Sequence, residues 1–378
     1  MAYFNNAATT YPKPAAVYEA MDEFYRYNAG SMGRGGKGEK TGAEIVAETR
    51  LMLKELLHAL NYEVIFTPTA TMALNMIIQG LLKKNIKNVY ITTFEHNAVT
   101  RVLHAYKDRI NVEVLAVNKD CSFDMERIGY QFADCQPDMV IMSHASNVIG
   151  LITPVAEVFS LAKNYNAVTV VDMAQTAGLV DLDITQAKCD FAVFAGHKTL
   201  YGPTGVSGFL MNPAVELPTV LYGGTGIDSA NQDMPDDIPA RYEMGTPNMV
   251  AVAGLHAALL EINKITMVGR NRLERENREY LLKILKEYDF IKLVGINESQ
   301  NYVGVVSFVI EGISSDSAAQ LFNRLDIDLR TGLQCAPLAH KFLGTYPAGT
   351  IRVSVGAYNN SEDFRKLQVA LDYIEDNI

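Results

Sequence analysis

Between residues 63 and 212, short apolar runs alternate with segments of helical length, and no other feature restricts the fold as much. The runs EVIFT (63–67), NVYIT (88–92), VEVLAV (112–117), DMVIMSH (138–144), AVTVVDM (167–173), FAVFAG (191–196) and SGFLMN (207–212) read as strands. Between most of them lie amphipathic stretches such as PVAEVFSLAKNYN (154–166). Strands that are apolar throughout are buried on both faces, so the pattern predicts a mainly parallel sheet with helices on either side. A helical pattern over 41–60 precedes it, marked by Ile45, Val46, Leu53, Leu56, Leu57 and Leu60. Near residue 246 the alternation stops. Two long helical patterns follow, at 248–264 and 268–287, and then a mixed region with VGVVSFVI (303–310) and TIRVSV (350–355). A chain of 378 residues favours two domains, and this change of pattern sets the expected boundary.

Composition narrows the partners. A formal net charge of −10 argues against nucleic acid or an anionic membrane as the main partner. The opening MAYFNNAATTYPKP has neither a basic nor an apolar leader region, and no apolar stretch approaches the about 20 residues that span a bilayer. The four cysteines, Cys121, Cys135, Cys189 and Cys335, are scattered without a C-x-x-C pair. That usage fits a reducing cytoplasm, one thiol at most in chemistry, and no structural metal. The stretch GRGGKG (33–38) matches G-x-G-x-x-G, but no strand precedes it, so it reads as a loop rather than a nucleotide site. Arg34 is placed to reach a site from that loop. Residues 223–241, rich in Gly, Asp and Pro, read as a long ordered loop.

The run AVFAG is followed two residues on by Lys198, and a lysine at the edge of a core is costly unless its amine is paired or used covalently. Another buried run ends on Asp172, with Gln175 three residues on. Ligands of open parallel sheets bind outside the carboxyl ends of the strands, so Asp172 and Lys198 are expected at one edge. The stretch FTPTAT places Thr69, Ala70 and Thr71 at a helix N-terminus, which favours a phosphate, although Thr capping alone would explain it. A carboxylate, a lysine and a helix end at one sheet edge fit pyridoxal phosphate better than a metal or a nucleotide.

These residues, with FEHNA (94–98), SNVIG (146–150), DMAQ, GHK and GPTG, resemble the class V aminotransferases of pyridoxal-phosphate fold type I. RTGLQCAP (330–337) resembles the cysteine desulfurase and selenocysteine lyase group within that class. The resemblance runs from FNNAATTYP to IRVSVGAYN, nearly the whole chain. It implies a large domain over 16–246 that binds the cofactor and a small α+β domain formed by 1–15 and 247–378. Lys198 would carry the cofactor as a Schiff base, Asp172 would pair with its pyridine nitrogen, His96 would stack on its ring, and Gln175 would meet its phenolic oxygen. Ala70, Thr71 and His197 would hold the phosphate, with Thr246 reaching the phosphate of a neighbouring subunit in a homodimer. Asn147 would lie beside cofactor and substrate. Arg352 would pair with the substrate carboxylate, with Arg330 and Arg34 as further substrate contacts.

Cys335 would accept sulfur from L-cysteine, or selenium would leave L-selenocysteine, giving L-alanine, with His96 moving protons near the substrate thiol and a sulfur-acceptor protein as a further partner. Transamination, β-elimination or epimerisation on the same scaffold is the alternative, and needs no Cys335. Two departures stand out: Ala195 lacks the hydroxyl often found there, and Leu333 and Gln334 replace the histidines often found before the cysteine.

Overall fold

The structure is a computed structural model that describes residues 1–28, 41–227 and 230–377. The chain enters through the short strand β1 (Ala2–Tyr3), followed by helices α1 (Ala15–Tyr27) and α2 (Gly42–Leu56). A capping box starts α2: the Thr41 hydroxyl accepts from the Glu44 N–H, and the Glu44 carboxylate accepts from the Thr41 N–H. The helical pattern expected to run to residue 60 ends at Leu56. His58 has taken a left-handed φ of 55°, and Leu60 is left exposed.

The central sheet comprises β2 (Glu63–Thr67), β3 (Asn88–Ile91), β4 (Asn111–Val114), β5 (Met139–Ser143), β6 (Val168–Asp172), β7 (Phe191–Ala195) and β8 (Ser207–Met211). Their order is β2-β8-β7-β6-β5-β3-β4, parallel from β7 to β4, with β8 antiparallel to both β2 and β7. Side chains along a strand point to opposite faces, and here both faces are covered. In β7, Ala192 and Phe194 face one core while Phe191 and Val193 face the other. In β5, Val140 and Met142 oppose Met139 and Ile141 in the same way. Helices α3 (Ala70–Leu81) and α4 (Asn97–Ala105) cover one face. Helices α2, α5 (Met125–Asp134), α6 (Val155–Lys163) and α7 (Met249–Lys264) cover the other. Connections that return to a parallel strand start from its carboxyl end, so β3, β5, β6 and β7 all open onto one edge. At that edge Gly196 has no room for a side chain, because a Cβ would lie 2.3 Å from the Val206 carbonyl oxygen.

The second sheet is antiparallel, in the order β12 (Arg330–Gly332), β13 (Thr350–Ser354), β10 (Val305–Ile310) and β9 (Ile291–Val294). With α9 (Ser315–Arg324), α11 (Ser361–Glu375) and the C-terminal half of α8 (Met267–Leu285), it encloses a core containing Phe308, Phe322, Leu281 and Leu371. Ala2 and Phe4 belong to this core, and β1 pairs in parallel with β11 (Ile327–Asp328). A short helix, α10 (Pro337–Phe342), leads from β12 toward β13.

Helix α7 lies in the larger core, through Val252, Leu255, Leu259 and Ile262, although it begins after residue 246. The change of core falls along α8, whose Arg270 still contacts the large unit at the Gly178 carbonyl while Leu281 and Leu285 lie in the smaller one. No single helix among the described residues is long and apolar enough to cross a membrane.

Candidate active site

A cavity of about 360 Å³ opens at the carboxyl edge of the central sheet, where the second sheet and the N-terminal segment close over it. Ala70, Thr71, His96, Asn147, Asp172, Gln175, His197, Lys198, Arg330, Cys335 and Arg352 all line it. Thr246 is exposed and lies outside the cavity of its own chain. Arg34, with the surrounding loop 33–38, falls outside the described residues.

Asp172 ends β6 and Lys198 follows β7, the adjacent parallel strand, which brings them to the same cavity wall. Asp172 Oδ1 accepts from the Ala174 N–H at 2.9 Å. Burial raises its pKa, and the Lys198 charge partly offsets this. Burial lowers the pKa of Lys198, with Asp172 opposing that shift and Arg352 adding to it. Its amine makes no hydrogen bond among the described residues. A buried lysine so displaced has the amine reactivity that Schiff-base chemistry needs.

Thr69 is the N-cap of α3 and accepts from the Met72 N–H at 3.1 Å. The N–H groups of Ala70 and Thr71, at the first two helical positions, have no partner within the helix and border the cavity. His197 Nδ1 is buried without a hydrogen-bond partner beside them. Free helix N–H groups, an unsatisfied imidazole nitrogen and a buried lysine–aspartate pair fit the phosphate, ring and aldehyde of pyridoxal phosphate.

His96 both caps α4 and faces the cavity. Its Nδ1 accepts from the Ala98 N–H at 3.0 Å, which leaves Nε2 to carry the proton. Burial first, and then the positive charges of Lys198 and Arg352, push its pKa down to about 4. A neutral ring suits stacking and hydrogen-bond donation from Nε2. Behind it, the Glu95 carboxylate is fully buried and accepts from Thr92 Oγ1 at 2.6 Å and from the Ser143 N–H and Oγ, each at 2.8 Å. Burial raises the pKa of Glu95 to about 7.

Arg352 is buried in β13, directly opposite Arg330 of β12. Its Nη1 donates to the Asn147 carbonyl at 2.7 Å, while Nε is buried without a partner. Neither arginine forms an ion pair among the described residues. Burial and the neighbouring Arg330 charge lower the Arg352 pKa to about 10. Two adjacent guanidinium groups without a protein carboxylate form a receptor for a carboxylate ligand.

Cys335 is exposed and unpaired, at the end of a short and firmly held loop. Gln334 and Cys335 have left-handed φ values of 39° and 60°. The Gln334 side chain is buried. Its Oε1 lies 2.8 Å from His340 Nε2 and accepts from Thr350 Oγ1 at 3.3 Å, and its Nε2 donates to the Thr350 carbonyl at 2.9 Å. Asn147 Nδ2 donates to the Gln334 carbonyl at 2.6 Å, and the Asn97 N–H to the Cys335 carbonyl at 2.7 Å.

Gln334, read from sequence only as a departure, is therefore the side chain that anchors this loop. Sequence reading also missed Glu95, and Lys13, whose ammonium donates to the His197 carbonyl at 2.7 Å. Glu95 sat inside the quoted FEHNA, and an acidic residue in an otherwise apolar strand exit was its available signal. Gln175 lines the cavity as expected, with its Nε2 donating to the Ala7 carbonyl at 2.9 Å.

The sequence profile of the class V aminotransferases matches residues 2–367, and the chain belongs to this family. Its fold is that of the type I pyridoxal-phosphate enzymes, the cofactor with which the family works. Curated relatives narrow the comparison. A probable cysteine desulfurase of Methanothermobacter thermautotrophicus is 31% identical, over 98% of this chain and 94% of that protein. A cysteine desulfurase of Shigella flexneri is 29% identical, over 99% of this chain and 93% of that protein. Among solved structures, the apo cysteine desulfurase of Thermococcus onnurineus matches with a TM-score of 0.87 and 26% identity, over 100% of this chain and 95% of the other. The Escherichia coli cysteine desulfurase matches with a TM-score of 0.85 and 25% identity, over the same shares. These relatives favour desulfuration over transamination, elimination or epimerisation.

Proposed function

We propose that the chain is a pyridoxal-phosphate-dependent cysteine desulfurase, or selenocysteine lyase, that converts L-cysteine or L-selenocysteine to L-alanine. The observation that carries this reading is the placement of Cys335, on a latched loop, in the same cavity as Lys198, Asp172 and the paired arginines. Pyridoxal phosphate, when bound, supplies an electron sink that makes the substrate Cα acidic.

The residues then divide the work. Ala70, Thr71 and His197 would hold the phosphate, and His96 would cover the ring. Asp172 would pair with the pyridine nitrogen of the bound cofactor, and Gln175 would meet its phenolic oxygen. Arg352, with Arg330 beside it, orients the substrate carboxylate, and Asn147 closes the side of the site. The Lys198 amine, whose pKa burial lowers, takes the Cα proton. The Cys335 thiolate attacks the substrate sulfur. An S–S bond forms, the Cβ–S bond breaks with its electron pair moving to carbon, Cβ takes a proton, and the Lys198 amine returns the proton to Cα to complete alanine. Proton movement around the substrate thiol falls to His96, which lines the same cavity. Cys335 is left as a persulfide, from which an acceptor thiol takes the sulfur.

A homodimer, with Thr246 reaching the partner's phosphate site, a sulfur-acceptor protein and a cytoplasmic setting complete the reading. The test is incubation of the purified holoenzyme with each amino acid, measuring alanine together with sulfide or selenide. Equimolar alanine and sulfide under a thiol reductant is the expected result from cysteine. Pyruvate or a keto acid in place of alanine would overturn the proposal.

A further inference from the structure

Outside the active-site cavity lining, α8 places Arg270, Glu274 and Arg278 on one buried face at helical spacing. Two of the three are hydrogen-bonded, with only Arg270 Nε left without a partner between them. Arg270 donates to the Gly178 and Thr199 carbonyls, and Glu274 Oε1 accepts from the Gly304 N–H at 2.8 Å. Arg278 is not. It is 8% exposed, makes no hydrogen bond or ion pair among the described residues, and keeps Nε and Nη2 closed from solvent without a partner. Its guanidinium carbon lies 4.4 Å above the centre of the Tyr302 ring. A cation–π contact alone leaves the in-plane N–H groups unsatisfied, which is a costly state for a buried charge.

Arg278 faces a cavity of about 880 Å³ between the two units. The other basic groups at its wall already have acidic partners: His58 with Asp181 at 2.8 Å, Arg275 with Glu279 at 3.9 Å and Lys286 with Glu298 at 3.7 Å. Arg278 is the basic group at the wall without an acidic partner among the described residues. Leu179, Val180, Met267, Leu282 and Ile296 supply apolar surface beside it.

We propose that this cavity binds a small organic monoanion, a carboxylate on an apolar body, with the carboxylate paired to Arg278 and the body lying along Leu179, Val180 and Leu282. The same wall holds Asp181, Glu279 and Glu298, so a multiply charged phosphate would meet three carboxylates for one free cation. The site shares no lining residue with the active-site cavity and stands independently of the desulfurase reading.

The experiment titrates 4-fluorobenzoate into the holoenzyme, followed by fluorine NMR and calorimetry. Arg352→Met is included to remove binding at the active site. The expected result is saturable binding that survives Arg352→Met and weakens by about tenfold or more in Arg278→Met, as for a lost charge-assisted contact. Val180→Trp, which fills the cavity and leaves the arginine in place, should abolish it even where Arg278→Met folds poorly. Inorganic phosphate should bind far more weakly. Absence of saturable binding, loss of all binding in Arg352→Met, or phosphate binding as tight as 4-fluorobenzoate would each overturn the proposal.

Discussion

Replacing Gln334 by Ala should separate cysteine turnover from selenocysteine turnover. The side chain satisfies the Thr350 carbonyl and His340 Nε2 in a buried setting, while the Thr350 hydroxyl it also meets keeps Ser307 Oγ at 3.1 Å. Leaving a buried polar group unpaired costs about 1–3 kcal/mol, so for the carbonyl and the imidazole together a loss of about 3 kcal/mol is expected. The same bonds hold two consecutive residues in the left-handed region, a conformation that costs about 1–2 kcal/mol per residue outside glycine. Without the anchor the loop gains by relaxing, and the Cys335 thiol leaves its position. A loss of about 3 kcal/mol in placing the nucleophile corresponds to about a hundredfold in kcat/KM for cysteine. Selenocysteine, whose more acidic selenol departs without thiol attack, should lose far less. The assay is alanine formation from each substrate at saturating pyridoxal phosphate, with urea unfolding alongside. If stability drops by the expected amount while cysteine turnover stays within about twofold, a difference of less than about 0.5 kcal/mol, the network supports the fold but does not place the thiol.

Asp172→Asn keeps the shape and the acceptor for the Ala174 N–H but removes the charge beside the pyridine nitrogen. Cofactor absorbance should remain while alanine formation falls by about a hundredfold or more, as for lost electrostatic stabilisation, and near-normal turnover would contradict the assigned role. Burial also ties stability to pH. His96, His144, His197 and His340 are each held down at about 4. The unfolded chain protonates these groups at about 6.5, so their stability contribution is complete above that pH and is lost as the pH falls toward about 4. Glu95 and Glu274, raised to about 7, act in the opposite sense, their contribution being lost as the pH rises from about 4.5 toward 7. The His144 ring hydrogen-bonds only to Thr176 Oγ1 among the described residues, at 2.9 Å, so His144→Gln should flatten the acid-side decline of the urea midpoint, and a slope equal to that of the parent would refute this origin.

Much of the fold could be read from the chain because two-sided burial writes itself into local sequence. Phe191 to Ala195 are apolar at every position because alternate residues enter different cores. Lys198 and Asp172 stood out for the same reason, as charged groups at the ends of strands that tolerate none. What escaped depends on partners far away in sequence. The role of Gln334 requires Thr350 from another strand and His340 from α10, and no local pattern announces either. The place of α7 in the larger core depends on α1 and α2 packing against it. His96 read as cofactor-facing, while its second role as helix cap, which fixes the proton on Nε2, needed the geometry of the Ala98 N–H.

Cys335→Ser tests the persulfide mechanism most directly. The variant holoenzyme should form no alanine from L-cysteine while retaining much of its activity on L-selenocysteine. After cysteine treatment, the parent protein should show a reducible mass increase of one sulfur atom on the peptide containing Cys335, absent from the variant. Normal alanine formation from cysteine by Cys335→Ser, or a persulfide found elsewhere than on Cys335, would contradict it.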